Sequence, residues 1–274
     1  MKRVFGVALA ALLLCLCAAA ESAGTEIIGG ADGPTEIHVY ELEPTDEVLA
    51  IIGEVEAVEI TPEPTEIPRL AGVTIGIDPG HQAHQNTDKE PIAPGSKETK
   101  AKVASGTQGV STGIPEYITN LEVSFRLRDA LEAMGATVYM TRETHDVDIS
   151  NVERAQMFNE LHVDLALRIH CNGANDKSVN GAGTYARKTG DCQEESERAA
   201  TLILDQLCAA TGARRQGVII NYNYTGQNWS TVPCVMVEMG YMSNAAEDEK
   251  LNDPAYQDLL VQGMVEGICR YFER

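Results

Sequence analysis

Apolar positions along this chain change their period several times. Residues 73–78 (VTIGID), 136–141 (ATVYMT), 163–170 (VDLALRIH), 181–187 (GAGTYAR), 216–220 (QGVII) and 233–240 (PCVMVEMG) are short, β-branched or continuously apolar runs that predict strands. Between them the period lengthens. Val123, Leu127, Ala130, Leu131 and Met134 recur at helical spacing from Pro115 to Met134, and Gly135 ends that helix. Ser150-x-x-Glu153 is a capping box opening a helix that runs to about Leu161. A third helix spans about Glu194 to Thr211 and stops at Gly212. The last runs from about Ala255 to Phe272, with Tyr256, Leu260, Met264, Ile268 and Tyr271 on one side. Strands separated by helices predict one α/β domain over residues 71–274, with a mostly parallel, twisted sheet of about six strands flanked by helices.

The residues ahead of that domain follow other patterns. Residues 1–20 join Lys2 and Arg3 to an apolar run and the small residues Ala18–Ala20, the make-up of a secretory signal peptide. The Ala-x-Ala-like site favours simple cleavage over lipid attachment at Cys15 or Cys17. Residues 21–70 carry thirteen acidic residues against one base, Arg69, with interspersed prolines, and read as a solvated linker. An exported protein of the cell envelope, or a secreted one, is therefore expected, with no transmembrane segment and no nucleic-acid partner. The net charge of −20 over 274 residues agrees with the last point. Five cysteines remain beyond the signal, Cys171, Cys192, Cys208, Cys234 and Cys269, without any C-x-x-C spacing, so a structural zinc knuckle is excluded.

In α/β sheets, sites gather at the carboxyl ends of strands. Three strands end in candidate side chains: VTIGID runs into Asp-Pro-Gly-His81, VDLALRIH ends at His170, and PCVMVEMG carries Glu238. Two histidines and one carboxylate are a ligand set for a hydrolytic zinc. Glu116 and Glu122, both on the first helix, compete to be the carboxylate. At 100° per residue Glu116 shares the face of Val123 and Leu127, whereas Glu122 points about 120° away, so Glu116 is the better ligand. His84 makes an H-x-x-H pair with His81, but nothing after Pro79-Gly80 predicts the helix that such a pair needs. His38, His145 and His162 read as solvated or structural.

IGIDPGH, the stretch from PEYITNLEVSF to ISNVERA, LALRIHCNGA and VPCVMVEMGYMSN together resemble the zinc-dependent N-acetylmuramoyl-L-alanine amidases of the amidase type 3 family, over nearly all of residues 73–272. The resemblance implies a zinc-hydrolase-like fold and one Zn²⁺ held by His81, Glu116 and His170, with Glu238 as the catalytic carboxylate. It implies a substrate too, the amide between the lactyl group of N-acetylmuramic acid and L-alanine in peptidoglycan. A cell-wall binding protein without catalysis and a zinc peptidase of other bond specificity are the competing readings.

Departures from that pattern mark where this chain is particular. Residues 82–115 form a long segment after the first histidine, with Lys97, Lys100 and Lys102 offering positive charge for a peptide's carboxylates, as a lid or as a solvated insertion. No long helical insertion follows His170, which predicts an open groove. Asn172 and Asn244 are candidates for substrate contact or turn capping. Asp78 is placed to orient His81 or to close the turn before Pro79, and Arg168 to pair with an acid near the site.

Overall fold

A computed structural model of the protein describes residues 68–273. The signal-like segment, nearly all of the acidic linker and His38 lie outside the described residues.

Six strands form the main sheet: β1 (Thr74–Pro79), β4 (Thr137–Met140), β5 (Leu165–Asn172), β6 (Ala182–Arg187), β7 (Arg215–Asn221) and β8 (Cys234–Tyr241). Their order is β4-β1-β5-β8-β6-β7. The first four run parallel; β6 meets β8 antiparallel and pairs in parallel with β7. The four long helices fall where the periodicity puts them, as α1 (Glu116–Ala133), α2 (Asn151–Glu160), α3 (Gln193–Thr211) and α6 (Pro254–Phe272). Ser150 and Glu153 make both bonds of the capping box at the start of α2.

Two short helices, α4 (Thr225–Trp229) and α5 (Ala245–Leu251), and a hairpin of β2 (Asn86–Pro91) and β3 (Thr99–Val103) are additions to the expected elements. The segment after His81 is therefore largely a two-stranded wall. Its strands, NTDKEP and TKAKV, carry almost no apolar alternation, which is why the sequence reads as a loop there.

The alternation along the central strands sorts core from chemistry. Ile75 and Ile77 of β1, Leu165, Leu167 and Ile169 of β5, and Val235 and Val237 of β8 face one side, packed against buried residues of α1, α3 and α6. The intervening positions face the other side. There Ala166 and Cys234 pack with Phe158 of α2, and further along the same strands stand Asp78, Arg168, His170 and Glu238. One face of the sheet is thus an apolar core, and the other becomes polar toward the carboxyl ends of its parallel strands.

Candidate functional site

His170 on β5 and Glu238 on β8 are register partners on adjacent parallel strands, which sets their side chains next to each other. β1 brings the third group. Its end turns at Asp78-Pro79-Gly80 and delivers His81 with φ of +61°, a left-handed conformation rare for a residue with a side chain. Gly80 permits the approach, since a Cβ there would stand 2.2 Å from the His170 ring. Glu116 is the first residue of α1, where the helix meets the sheet edge, and it is 2% exposed.

The Glu116 carboxylate is held from several sides. Its Oε2 accepts the Thr107 amide at 2.8 Å; its Oε1 accepts the Cys171 amide at 3.0 Å and the Asn120 side chain at 3.1 Å. The same Oε1 lies 3.2 Å from His170 Nδ1 and 3.3 Å from His81 Nε2. Ligand atoms of His81, Glu116 and His170 all fall within 4.8 Å of one another.

This trio fits a zinc ion on two counts. His81 Nδ1 lies 2.8 Å from the Ala104 carbonyl, which can only accept, so Nδ1 carries a proton and the neutral ring has its lone pair on Nε2, the nitrogen that faces Glu116. The N···O separations of 3.2 and 3.3 Å also match the edge of a tetrahedron with bonds of ~2.0–2.1 Å, roughly 3.3–3.4 Å.

Burial and charge tune the groups unequally. Burial acts to raise Glu116, but hydrogen bonds and the positive charge available on the two histidines hold it well below the usual carboxylate range. Burial pushes the His170 imidazole down to about 4. It acts on His81 in the same direction and is the largest single effect there, yet the bond to Glu116, the Glu116 charge and the Ala104 carbonyl together outweigh it and the His81 pKa is raised. Burial first, and the Glu116 charge second, raise Glu238 well above the ordinary range. Glu238 Oε2 is buried and takes no hydrogen bond among the described residues.

Beneath the trio, three arginines grip the turn that carries His81. Arg154 donates to the carbonyls of Pro79 and His81 and to Gln82; Arg142 donates to the carbonyls of Pro79, Gly80 and Tyr117. Arg168 Nε donates to Asp78 Oδ2 at 2.8 Å, and Arg154 Nη1 to Asp78 Oδ1 at 2.6 Å. Asp78 therefore neutralises two arginines and does not touch the His81 ring, whose acceptor is the Ala104 carbonyl. Arg142 and Arg154 are contributors that sequence reasoning missed, because an arginine beside a capping box or after a strand reads as surface charge. A buried counterion at Asp78 was the available hint.

A cleft of about 1280 Å³ opens over the trio, walled by the hairpin and by residues 172–175, 177 and 223–225. Asn172 and Lys100 line it, as do Lys89, Lys177 and Tyr224, which the sequence did not single out. Lys102 pairs with Asp88 at 3.7 Å, and Lys97 is exposed at the hairpin turn, outside the cleft lining. Glu122 lies away from the trio, 3.4 Å from Gln257. His84 lines a separate, smaller cavity with Asp146 and Asp148, and the His145 ring packs on Tyr117. Asn244 caps α5. All five cysteines of the domain are free thiols.

Comparison with known proteins places this geometry. The family model Amidase_3, described as N-acetylmuramoyl-L-alanine amidase, matches residues 75–270. The germination-specific N-acetylmuramoyl-L-alanine amidase of Bacillus subtilis is 30% identical over 232 residues, covering 77% of this chain and 84% of that relative. N-acetylmuramoyl-L-alanine amidase LytC of the same organism is also 30% identical, over 74% of this chain but only 36% of its own length. Among solved structures, the N-acetylmuramyl-L-alanine amidase Ami1 of Mycobacterium smegmatis superposes with a TM-score of 0.69 at 26% identity, covering 74% of this chain and 98% of that one.

Proposed function

This chain belongs to the amidase type 3 family, and from that membership we propose that it hydrolyses the amide joining N-acetylmuramic acid to L-alanine in peptidoglycan, outside the cell membrane. The reading rests on one observation above all. Ligand atoms of His81, Glu116 and His170 converge within 4.8 Å of one another, beside a buried Glu238 oxygen that has no hydrogen-bond partner among the described residues.

His81 through Nε2, Glu116 through its carboxylate and His170 through Nδ1 are the residues that would hold one Zn²⁺. When bound, the ion supplies Lewis acidity, lowering the pKa of a water and polarising the scissile carbonyl. Proton transfer is the work of Glu238. Its free oxygen accepts the proton of the attacking water and returns it to the departing amide nitrogen. The raised pKa of Glu238 suits the second transfer, and a cation held by the neighbouring ligands would act to lower it, the direction the first transfer needs. Arg168, on the same sheet face, further favours the ionised carboxylate. No nucleophilic side chain is required, in keeping with the high pKa that burial gives Cys171.

Digestion of purified peptidoglycan, with mass spectrometry of the products, tests the assignment. Wild type releases stem peptides with a new amino-terminal alanine. Glu238→Gln lowers turnover by roughly 10²- to 10⁴-fold while zinc content is unchanged. Products that keep the lactyl–alanine bond would refute the amidase reading.

A further inference from the structure

The chain as a whole is strongly acidic, with 41 acidic against 21 basic residues. Its cleft has the opposite balance. Lys89, Lys100, Lys177 and Arg168 are lining residues, and the acids lining it are Glu116 and Glu238, both at the reaction centre. Arg168 is committed to Asp78, 2.8 Å away. The three lysines are not so committed: among the described residues none of them lies within ion-pair distance of a carboxylate, in contrast to Lys102, paired with Asp88. Lys100 Nζ donates only to the Asn223 carbonyl, and Lys177 Nζ only to the Ala174 carbonyl at 3.5 Å.

The wall that carries Lys89 and Lys100 is preformed. Asn151 on α2 donates to the Lys102 carbonyl, Trp229 Nε1 to the Pro91 carbonyl, and Asn228 to the Ile92 carbonyl. Glu90, next to Lys89 on β2 and the register partner of Lys100, is 5% exposed and accepts the Val152 amide. Little ordering is therefore left for binding, which is when a charged contact contributes most.

We propose that Lys89, Lys100 and Lys177 form an anion-selective rim that takes an acidic peptide, so that stem peptides with free carboxylates are recognised in preference to the same peptides with those carboxylates amidated. The proposal rests on the amidase reading for the identity of the scissile bond. In that substrate the glycan is neutral and the lactyl carboxyl is tied up in the amide. All of the negative charge is on the peptide, so the peptide is the part of the substrate that the rim would meet.

Two measurements on zinc-loaded protein test this. In the first, fluorescent muramoyl peptides, with carboxylates free or amidated, are titrated into the Glu238→Gln protein and followed by anisotropy. Amidation raises Kd about tenfold at low salt, each exposed lysine pair being worth roughly a factor of 1.5 to 5, and about 0.5 M salt collapses the difference. Combining Glu238→Gln with Lys89→Gln, Lys100→Gln and Lys177→Gln makes the two peptides bind alike; these side chains are on the surface and folding is checked by thermal melting. In the second, wild type shows the preference in KM more than in kcat. Equal binding of the two peptides, discrimination that survives the triple lysine replacement, or tighter salt-sensitive binding of a polyglycerol phosphate than of the free peptide would overturn the proposal. If peptide discrimination appears in binding while wild type hydrolyses neither peptide, the rim stands and the amidase reading falls.

Discussion

His81 combines a strained backbone with a fixed tautomer, and both bear on how the site takes up metal. Its Nε2 is the ligand atom only when that nitrogen is unprotonated, and the bond to Glu116 raises the pKa of the ring. Metal must then displace one proton from His81 at any pH below that raised value. Glu116 stays ionised and His170, held at about 4, stays neutral over the same range. The logarithm of zinc affinity consequently falls by about one for each pH unit on acidification below the neutral region, and more steeply only near pH 4. Competition with a chromophoric chelator measures this directly; affinity that is flat between about pH 5 and 7 would contradict it. Glu116→Gln loses metal in the same assay by at least tenfold, whereas Glu122→Gln, near Gln257 and away from the trio, retains it. Helical phase distinguishes these two glutamates in the sequence itself, because a first-turn residue on the buried stripe faces the sheet.

Individual elements contribute by being pinned, and the turn after β1 is the clearest case. Asp78, 1% exposed, holds Arg154 and Arg168, and Arg154 in turn holds the His81 carbonyl. Burial alone would raise the Asp78 pKa, but the two guanidinium groups hold it far below the ordinary value of ~3.9. A carboxylate with a depressed folded-state pKa contributes stability that is present above the unfolded value and lost as the pH falls below it. Asp78→Asn should therefore destabilise by about 3–5 kcal/mol at pH 7, leaving two buried arginines uncompensated, and the gap to wild type should begin to narrow in urea melts below about pH 4 and go on narrowing with further acidification. The packing of α3 on α6 supplies a second prediction. A Cβ at Gly267 would stand 2.5 Å from Ile203 Cα and 2.8 Å from the Leu202 carbonyl, backbone atoms that cannot rotate aside. Alanine would gain about 1 kcal/mol of helix propensity, yet overpacking of roughly 1–3 kcal/mol or more outweighs it, and Gly267→Ala should melt lower. Long apolar elements such as these were legible from period alone. The hairpin was not, since Asn86–Pro91 and Thr99–Val103 are polar strands fixed by hydrogen bonds from α2 and α4. Nor was the arginine grip: a buried arginine is identified by its partners, which the linear pattern does not display.

The folded body as a whole begins earlier than composition suggests. Arg69 and Leu70 belong by charge and proline content to the acidic segment, but the contacts assign them to the domain. Leu70 is fully buried in the main core, its amide donates to the Met134 carbonyl at the end of α1, and its carbonyl accepts the Val73 amide. Arg69 reaches the far end of the chain, bonding to Glu266 at 2.7 Å and to Glu273. These two adjacent residues should differ sharply in weight. The Arg69 pairs are more than a third exposed, and such pairs are worth about 0–1 kcal/mol. Removing the Leu70 side chain takes away a core contact worth about 2–5 kcal/mol. In a domain of this size each kcal/mol moves Tm by about 2–4 °C. Leu70→Ala should therefore lower Tm by roughly 4–20 °C and Arg69→Ala, which loses two such pairs, by no more than about 8 °C, in calorimetry on the same preparation. A chain starting at Pro64 keeps both residues and should melt with the 274-residue chain, whereas one starting at Ala71 should melt lower by at least as much as Leu70→Ala. If the two truncations melt alike, Leu70 is not part of the folding unit, and the domain begins where the change in composition puts it.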